Sequence, residues 1–568
     1  MNKSGKYLVW TALSVLGAFA LGYIALNRGE QINALWIVVA SVCVYLIAYR
    51  FYGLYIARKV LAVDPTRMTP AVRHNDGLDY VPTDKKVLFG HHFAAIAGAG
   101  PLVGPVLAAQ MGYLPGMIWL LAGVVLAGAV QDFMVLFVST RRDGRSLGEL
   151  VKEEMGATAG VIALVACFMI MVIILAVLAM IVVKALTHSP WGTYTVAFTI
   201  PLAIFMGIYL RYLRPGRIGE VSVIGLVFLI FAIISGGWVA ASPTWAPYFD
   251  FTGVQLTWML VGYGFVAAVL PVWLLLAPRD YLSTFLKIGT IVGLAVGILI
   301  MRPTLTMPAL TKFVDGTGPV WTGDLFPFLF ITIACGAVSG FHALISSGTT
   351  PKMLANEGQA CFIGYGGLLG VVSPGLKRTD SLPANLLATA LCVLAWGYFL
   401  HQGVVDPLGG INTLWPLFGI ANQMLAGMAL MLCAVVLFKM KRQRYAWVAL
   451  VPTAWLLICT LTAGWQKAFS PDTKIGFLAI ANKFQAMIDS GNIPPQYTES
   501  QLAQLVFNNR LDAGLTIFFM VVVVVLALFS IKTALAALKI DKPTANETPY
   551  EPMPENVDEI VTQAKGAH

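Results

Sequence analysis

Asp132 is an acidic residue inside a long apolar stretch of the sequence. It follows Gln131 in LLAGVVLAGAVQDFMVLFVST, about two helical turns before the basic residues Arg141 and Arg142. An ionised side chain at membrane depth is unstable unless it is paired or hydrated, so such residues commonly mark ion and substrate pathways. A carboxyl group at this depth can accept and release a proton during transport. A structural ion pair with Arg141 or Arg142 is the alternative role.

The first Gly-rich segment, residues 90–105, lies within another apolar stretch. It reads GHHFAAIAGAGPLVGP and holds four glycines and two prolines. Proline removes a helix hydrogen bond and glycine weakens a helix, so the pattern predicts a broken helix. Non-helical backbone is stable at membrane depth only where it is buried in protein or lines a cavity. The segment therefore predicts a binding-site wall, with close helix packing through small residues as the alternative.

The second Gly-rich segment, residues 331–352, reads ITIACGAVSGFHALISSGTTPK. It again combines weak helix formers with side chains that form hydrogen bonds. Two Gly-interrupted apolar segments, one in each half of a chain, indicate the midplane site of an inverted-repeat transporter. His342 in this segment either carries a proton or only forms hydrogen bonds with its neighbours.

Other polar residues lie in or beside the apolar stretches. His91 and His92 begin the first Gly-rich segment, where an imidazole can change charge near neutral pH or bind a carboxylate. Adjacent residues on a helix point in different directions, so this pair does not predict a metal site. Asn422 and Gln423, in FGIANQMLAGM, either line a path or form hydrogen bonds between helices.

The elements that position these residues are membrane-spanning helices. Of the 568 residues, 58% are hydrophobic and only 11% are charged. About fourteen apolar stretches reach the length of roughly 20 residues that crosses a bilayer, the first near Tyr7 to Leu26 and the last near Leu515 to Ile531. The sequence predicts an all-α polytopic membrane protein of the inverted-repeat transporter type, with discontinuous helices and a transmembrane domain over residues 1–531.

Lysine and arginine gather in loops that alternate along the chain, which predicts that these loops face the cytoplasm. Both termini are then cytoplasmic, and residues 464–510 form an outward extramembrane stretch. The net charge of +9 follows from this topology and from contact with the lipid bilayer, so no nucleic-acid partner is predicted. The tail, residues 532–568, is polar and rich in proline and acid, and is predicted to be largely disordered after about Pro543.

Several function classes are excluded by missing motifs. The chain has no GxxxxGK[ST] phosphate loop and no catalytic triad signature, and its seven cysteines form no C-x-x-C pair. We therefore expect no enzyme, no cofactor, no metal site and no nucleotide-driven pump. Secondary transport, a channel and a membrane-embedded sensor remain. Broken helices together with an intramembrane acid favour secondary transport.

Three stretches, GHHFAAIAGAGPLVGPVLAAQMGYLPG, VQDFMVLFVSTRRDGRSLGEL and SGFHALISSGTTPKML, closely resemble the carbon starvation protein A family, and the resemblance covers nearly the whole chain. It implies a carrier of the bacterial inner membrane that is induced on carbon starvation and takes up peptides. Close relatives in the family act as proton-coupled pyruvate symporters. The fold that it implies is that of the five-plus-five inverted-repeat transporters.

The chain departs from the family pattern at one place. Family members continue after IGYGG through several more spans before a run like LLGVVSPGLKRTD, whereas here Gly367 is followed directly by Leu368. We therefore predict that several helices are missing, with the junction within Gly364 to Pro374. Loss of an even number of spans would keep the downstream sidedness that the basic loops indicate.

The resemblance implies roles for particular residues. Proton coupling falls to Asp132 and His342. Backbone groups freed by the break are predicted to contact substrate at Gly98, Gly100, Pro101 and Gly104. The hydroxyls of Ser339 and Ser346 are predicted to contact it as well. A half-helix N-terminus at the break can bind a substrate carboxylate, which both peptides and pyruvate carry. Peptide uptake is the leading prediction, with proton-coupled pyruvate symport and a nutrient sensor without transport as alternatives. The oligomeric state is left open.

Overall fold

The computed structural model describes residues 34–76, 80–214, 217–270, 274–370, 382–408 and 410–557, together with positions 12, 15, 17 and 561. Throughout these ranges the regular elements are helices, and only two isolated β-bridges join Arg67 to Pro552 and Thr83 to Leu354. The predicted all-α class is confirmed.

The helices are numbered here in chain order. The first half holds α1 (Ala34–Ile47), α2 (Pro70–Arg73), α3 (Lys85–Ile96), α4 (Gly100–Ala108), α5 (Tyr113–Gly123), α6 (Ala129–Thr140), α7 (Leu147–Met155), α8 (Ala157–Leu186), α9 (Pro190–Ile208), α10 (Ile218–Ala241) and α11 (Gly253–Val269). The second half holds α12 (Leu276–Met301), α13 (Leu325–Thr332), α14 (Ala334–Ala337), α15 (Gly340–Gly348), α16 (Gly366–Gly370), α17 (Leu382–Val405), α18 (Gly410–Lys439), α19 (Trp447–Phe469), α20 (Phe477–Asp489) and α21 (Glu499–Leu538).

Nine helical stretches in the described ranges are long and apolar enough to cross a membrane, or ten when one bent pair is counted as a span. A turn of π-helix at Val124–Gly128 joins α5 and α6 into one such span, Tyr113–Thr140. The protein is therefore a multi-pass membrane protein, as predicted. The predicted count of fourteen is not confirmed. The predicted first span, apart from positions 12, 15 and 17, and residues 371–374 of the predicted junction lie outside the described residues.

Both Gly-rich segments are interrupted helices, as the sequence predicts. In the first, the helical stretches Val87–Ile96 and Gly100–Met111 are bent by 46° at the break between them. In the second, α14 and α15 are separated by Val338 and Ser339, whose backbone is extended.

The two Gly-rich segments pack directly against each other. A Cβ atom on Gly100 would lie 2.6 Å from Cys335 Sγ, and one on Gly104 would lie 2.6 Å from the carbonyl oxygen of Thr332. Both distances are shorter than a carbon atom allows, so this contact requires glycine. The apolar part of α18 is fully buried, and this helix packs against the second Gly-rich segment. The two Gly-rich segments therefore contact each other close to their breaks, through Gly100 and Gly104 of the first segment.

Arg73, Arg141 and Lys439, from three of the basic loops, lie at one side of the bundle in contact with the tail. Residues 541–557 have almost no regular secondary structure, yet they are held by backbone hydrogen bonds. Thr544 N donates to Lys439 O at 2.8 Å, and Thr548 N donates to Arg141 O at 3.0 Å. The prediction of a largely disordered tail did not include these contacts, because composition carries no information about a binding surface elsewhere in the same chain.

Residues 464–510, the predicted outward stretch, hold the end of α19, all of α20 and the start of α21. The helix α21 begins with a capping box, in which Thr498 and Gln501 each accept a hydrogen bond from the other's backbone N–H. Since α19 is 23 residues long, or about 34 Å, its end lies across the bundle from the side that holds Lys439.

Candidate functional site

The intramembrane acid lies against the histidine of the second Gly-rich segment. Asp132 Oδ2 on α6 is 3.3 Å from His342 Nδ1 on α15, and neither residue is exposed. The alternative partners of Asp132 are bonded elsewhere, since Arg141 pairs with Glu357 and Arg142 pairs with Glu154. The structure thus brings together the two residues that the sequence assigned to proton coupling.

The residue before the acid joins α6 to the break. Gln131 Nε2 donates to Asp132 Oδ1 at 3.2 Å and to the carbonyl oxygen of Ser339 at 2.7 Å. An extended residue such as Ser339 has no helical partner for its carbonyl group, and burial makes a partner necessary. The amide of Gln131 therefore stabilises the break while holding the carboxylate.

Asn422 on α18 holds the other side of the break. Its Oδ1 accepts hydrogen bonds from Ser339 Oγ at 3.1 Å and from the backbone N–H of Phe341 at 3.2 Å. These groups satisfy the start of α15, where backbone N–H groups lack partners inside the helix. Of the two alternatives for this amide, hydrogen bonding between elements is the one observed.

Several polar atoms of this cluster have no hydrogen-bond partner among the described residues. They are Asp132 Oδ2, Gln131 Oε1, both ring nitrogens of His342, Ser346 Oγ and Asn422 Nδ2. Buried polar atoms are normally bonded, and each exception destabilises the fold by about 1–3 kcal/mol. A concentration of such atoms around a carboxylate and an imidazole is typical of a functional site, where a proton, water or substrate supplies the missing bonds.

His92 lies beside this cluster and not at a mouth of the protein. It is fully buried, and its Nδ1 is 2.7 Å from Thr350 Oγ1, just after α15. A Cβ atom on Gly367 would lie 2.7 Å from His92 Cδ2. The predicted junction of the chain therefore begins in contact with the site.

The residues assigned to substrate contact fall into two groups. Ser339 and Ser346 lie with the carboxylate cluster, where Ser346 Oγ is unbonded and Ser339 Oγ is bound to Asn422. Gly100 and Gly104 face Cys335 and Thr332, so the packing contacts of the alternative interpretation are present at both positions.

The other two members of the first Gly-rich segment are less constrained. A Cβ atom on Gly98 would only touch Leu178 at 3.8 Å, an ordinary contact. Pro101 lies in the first turn of α4, where proline is tolerated because its missing N–H has no partner there in any case. Both residues are partly exposed.

The sequence interpretation missed a second pair of buried acids. Asp512 on α21 and Asp406, just after α17, both line a small cavity, and Asn508 Nδ2 donates to Asp406 Oδ2 at 3.5 Å. Asp512 lies only a few residues before the apolar run that begins at Leu515. The position of this acidic residue at the edge of a predicted span was the sequence signal that could have identified the pair.

Comparison with known protein families identifies the family of this chain. The family described as carbon starvation protein CstA matches residues 33–372 and again residues 367–463. The chain is 79% identical to the peptide transporter CstA of Escherichia coli strain K12, with all of both chains covered. It is 49% identical to the pyruvate/proton symporter BtsT of the same organism, with 98% of each chain covered. It is also 44% identical to the peptide transporter CstA of Helicobacter pylori strain 26695.

The same comparisons support the predicted internal loss. The alignment with the Escherichia coli peptide transporter spans 701 positions, so subtracting the 568 residues of this chain leaves at least 133 positions without a residue here. The two family matches meet at residues 367–372, inside the predicted junction. No solved structure matches the chain. By family match and by identity over its full length, the chain belongs to the carbon starvation protein CstA family.

Proposed function

We propose that this chain is a secondary transporter of the bacterial inner membrane that takes up peptides during carbon starvation. Relatives named peptide transporter CstA are 79% and 44% identical to it over nearly its full length, which supports peptide as the substrate. In this proposal residues 1–531 form the transport domain, and residues 532–568 form a cytoplasmic tail.

The cytoplasmic position of both termini is part of the same proposal. The tail binds Lys439 and Arg141 through its backbone, and basic loops face the cytoplasm in bacterial membrane proteins. In the same proposal the stretch 464–510 faces outward, and the direction of α19 away from Lys439 supports this. Peptide would enter from that side and leave on the side of the basic loops.

The contact between Asp132 and His342 is the observation on which the proposed mechanism rests. It joins α6 to α15, which begins at the second break, so the charge on the pair affects how these helices pack. A proton on Asp132 removes its negative charge and weakens its electrostatic interaction with the imidazole of His342. Proton binding therefore changes the relative free energies of two arrangements of α15, which is what coupling to a proton gradient requires.

Substrate recognition is proposed at the two breaks. The helices α4 and α15 begin at Gly100 and Gly340, and helix N-termini favour negatively charged groups. Ser346 supplies an unbonded hydroxyl close to His342. A peptide presents a carboxylate to such a site and also carries amide groups for the remaining polar atoms.

Uptake into proteoliposomes tests this function. Labelled dipeptide is supplied with and without an inward proton gradient, to this chain and to a chain with the missing segment restored. Gradient-driven accumulation of dipeptide is the expected result. Accumulation only in the restored chain would assign an essential part of the path to the missing segment. Absence of flux in both chains would contradict the transporter proposal and favour a sensor.

Proton-coupled pyruvate uptake is the second candidate. The relative named pyruvate/proton symporter BtsT is 49% identical to this chain over 98% of its length, and Asp132 with His342 would serve either substrate. Labelled pyruvate in the same proteoliposomes separates the two. Accumulation of pyruvate without accumulation of dipeptide would replace the peptide assignment.

A further inference from the structure

A cavity of about 460 Å³ opens at the end of the bundle opposite the basic loops. It lies between the segment before α13, the first turns of α18, the end of α19 and the helix α20. Its volume is typical of a site for a small organic ligand. Aromatic side chains form much of its wall: Trp321, Phe328, Trp415, Phe477, Phe484 and Tyr497.

The cavity is positively charged. Three lysines and no acidic residue stand among the described residues that line it. Lys474 and Lys483 are exposed at its rim, whereas Lys467 is only 5% exposed. A concave surface lined by one sign of charge attracts ligands of the opposite sign.

Lys467 is a buried cation without a counter-ion among the described residues. In the described part of the chain its ammonium group forms no ion pair with a carboxylate and no hydrogen bond. Its Nζ lies 5.3 Å from the ring centre of Phe328 and 5.7 Å from that of Phe477. Two aromatic faces stabilise the ammonium group in part, but a buried unpaired charge remains costly to the fold. Such a group is typical of a binding site for an anion.

Two other polar groups of wall residues are also unpaired. Trp415 Nε1 and Asn509 Oδ1 are buried and have no hydrogen-bond partner in the described part of the chain. The amide of Asn509 is oriented by its Nδ2, which donates to Leu505 O at 2.9 Å. A ligand with both acceptors and an N–H donor would match these two groups, and a peptide has both.

The cavity also reaches the contact between the two Gly-rich segments. Its inner end includes Ile331 and Thr332, and the carbonyl oxygen of Thr332 is the atom against which Gly104 packs. The chain continues from there through α14 to Ser339 and His342. A ligand in the cavity therefore contacts the second Gly-rich segment near its start, before the break that leads to His342.

We propose that this cavity is the outer binding site of the substrate and that Lys467 binds the substrate's free carboxylate. The proposal rests on the transport function proposed above and adds the group that recognises the substrate. The volume and the aromatic wall favour a peptide over the smaller pyruvate, although both carry the carboxylate that Lys467 recognises.

Binding to the purified, detergent-solubilised chain tests this proposal. The probes are alanyl-alanine, its C-terminal amide and pyruvate, titrated by calorimetry into the wild-type protein, Lys467→Gln, Lys467→Arg and the rim control Lys474→Gln. We expect wild type to bind the dipeptide at least tenfold more tightly than the amide. Lys467→Gln should abolish that preference, whereas Lys467→Arg and Lys474→Gln should keep most of it. Equal affinity of wild type and Lys467→Gln for the dipeptide would overturn the proposal.

Thermal unfolding without substrate distinguishes a binding role from a structural one. Lys467→Met removes an unpaired buried charge and keeps most of the side-chain volume, so its melting temperature should equal or exceed that of wild type. A large decrease would mean that Lys467 stabilises the fold and would count against a ligand site.

The chain with the missing segment restored separates the two proposals. Carboxylate-dependent binding there, lost in Lys467→Gln, supports this site even if no transport follows. Transport that is insensitive to Lys467→Gln would refute the site and leave the transporter proposal intact. A preference for pyruvate over the dipeptide would keep the carboxylate site and change its occupant.

Discussion

Two buried acids in this protein have opposite surroundings. Glu154 on α7 accepts hydrogen bonds on both carboxylate oxygens, from Arg142 Nε at 2.7 Å and from Lys439 Nζ at 2.6 Å. Asp132 on α6 has one oxygen bonded to Gln131, while the other lies 3.3 Å from His342 without a hydrogen bond. The first acid is satisfied by its neighbours, and the second is not.

The surroundings of Glu154 also determine its protonation. Burial raises the pKa of a carboxyl group, but the adjacent Arg142 and Lys439 lower it more, so the pKa of Glu154 lies below its ordinary value of 4.5. The tail adds a further donor, since Asn546 N lies 3.1 Å from Glu154 Oε1. Glu154 is therefore ionised at neutral pH and joins α7, α18 and the tail.

The difference in hydrogen bonding between Glu154 and Asp132 suits the two acids to different roles. A network in which each carboxylate oxygen is bonded has one stable arrangement, so it holds elements together. A carboxylate and an imidazole with unbonded atoms can gain or lose a proton without breaking a complete network. The bonded carboxylate of Glu154 indicates a structural role, and the incompletely bonded carboxylate of Asp132 is consistent with the transport role proposed for it above.

The largest expected effect comes from breaking the satisfied site. Glu154→Gln leaves the buried guanidinium of Arg142 without its charge partner, which should lower the free energy of unfolding by about 3–5 kcal/mol. Chemical unfolding in detergent micelles measures this change. Glu153→Gln is the control, because Glu153 is more exposed and pairs with the exposed Arg145. Equal stability of Glu154→Gln and wild type would contradict the structural role.

The same site predicts a dependence on pH. Because the pKa of Glu154 is lower in the folded protein, its stabilising contribution is present above the ordinary value of 4.5 and is lost as the pH falls through the lower folded value. Stability measured from pH 7 downward should therefore decrease in that range. The part of the decrease that is due to this residue should be absent in Glu154→Gln.

A smaller effect is expected where the two Gly-rich segments pack against each other. Gly104→Ala introduces a Cβ atom 2.6 Å from the backbone oxygen of Thr332, and overpacking of this kind destabilises by about 1–3 kcal/mol. Gly98→Ala is the matched control, because its Cβ atom would meet only Leu178 at 3.8 Å. Thermal unfolding of the two variants should rank Gly104→Ala well below Gly98→Ala. The reverse order would mean that the two Gly-rich segments do not pack as described.

Asp132→Asn is expected to change stability less than Glu154→Gln or Gly104→Ala. The amide removes a buried charge that has no complete set of hydrogen bonds, so the free energy of unfolding should change by less than about 1 kcal/mol or increase. The same chemical change at Glu154 should be strongly destabilising. Unfolding of both variants under one set of conditions provides the test, and a large loss in Asp132→Asn would make Asp132 a structural residue as well.

The smallest effect is expected at the surface of the same side of the bundle. Arg145 pairs with Glu153, and its side chain is 49% exposed. Exposed ion pairs contribute about 0–1 kcal/mol, so Arg145→Ala should leave the melting temperature nearly unchanged. A decrease as large as that of Glu154→Gln would show that burial is not what distinguishes these pairs.

The helix breaks and the functional importance of Asp132 could be predicted from the types of neighbouring residues in the sequence. Glycine and proline at membrane depth indicate interrupted helices, and Asp132 is conspicuous in an apolar run. The contact with His342 was not predictable in the same way. The two residues are far apart in the chain, and only the packing of α6 against α15 brings them together.

The contacts of the tail and of Lys467 could not be predicted from the sequence either, because they also join distant parts of the chain. The tail has the composition of a disordered segment, but its backbone groups bind Lys439 and Arg141, which belong to other parts of the chain. Lys467 lies near the end of an apolar helix, where lysine commonly extends toward water. Its position in an aromatic cavity depends on α20 and on the segment before α13, which periodicity alone does not place.

The proton-coupling role of Asp132 is tested by the accumulation of labelled dipeptide in proteoliposomes that contain wild type or Asp132→Asn. Uptake is followed with an inward proton gradient and with equal pH on both sides, for this chain and for the chain with the missing segment restored. In each chain that transports, we predict that the proton gradient drives wild type to accumulate dipeptide above its equilibrium concentration. Asp132→Asn should only equilibrate the dipeptide across the membrane, with or without the gradient. Gradient-driven accumulation by Asp132→Asn at the wild-type level would contradict the proton-coupling role of this site.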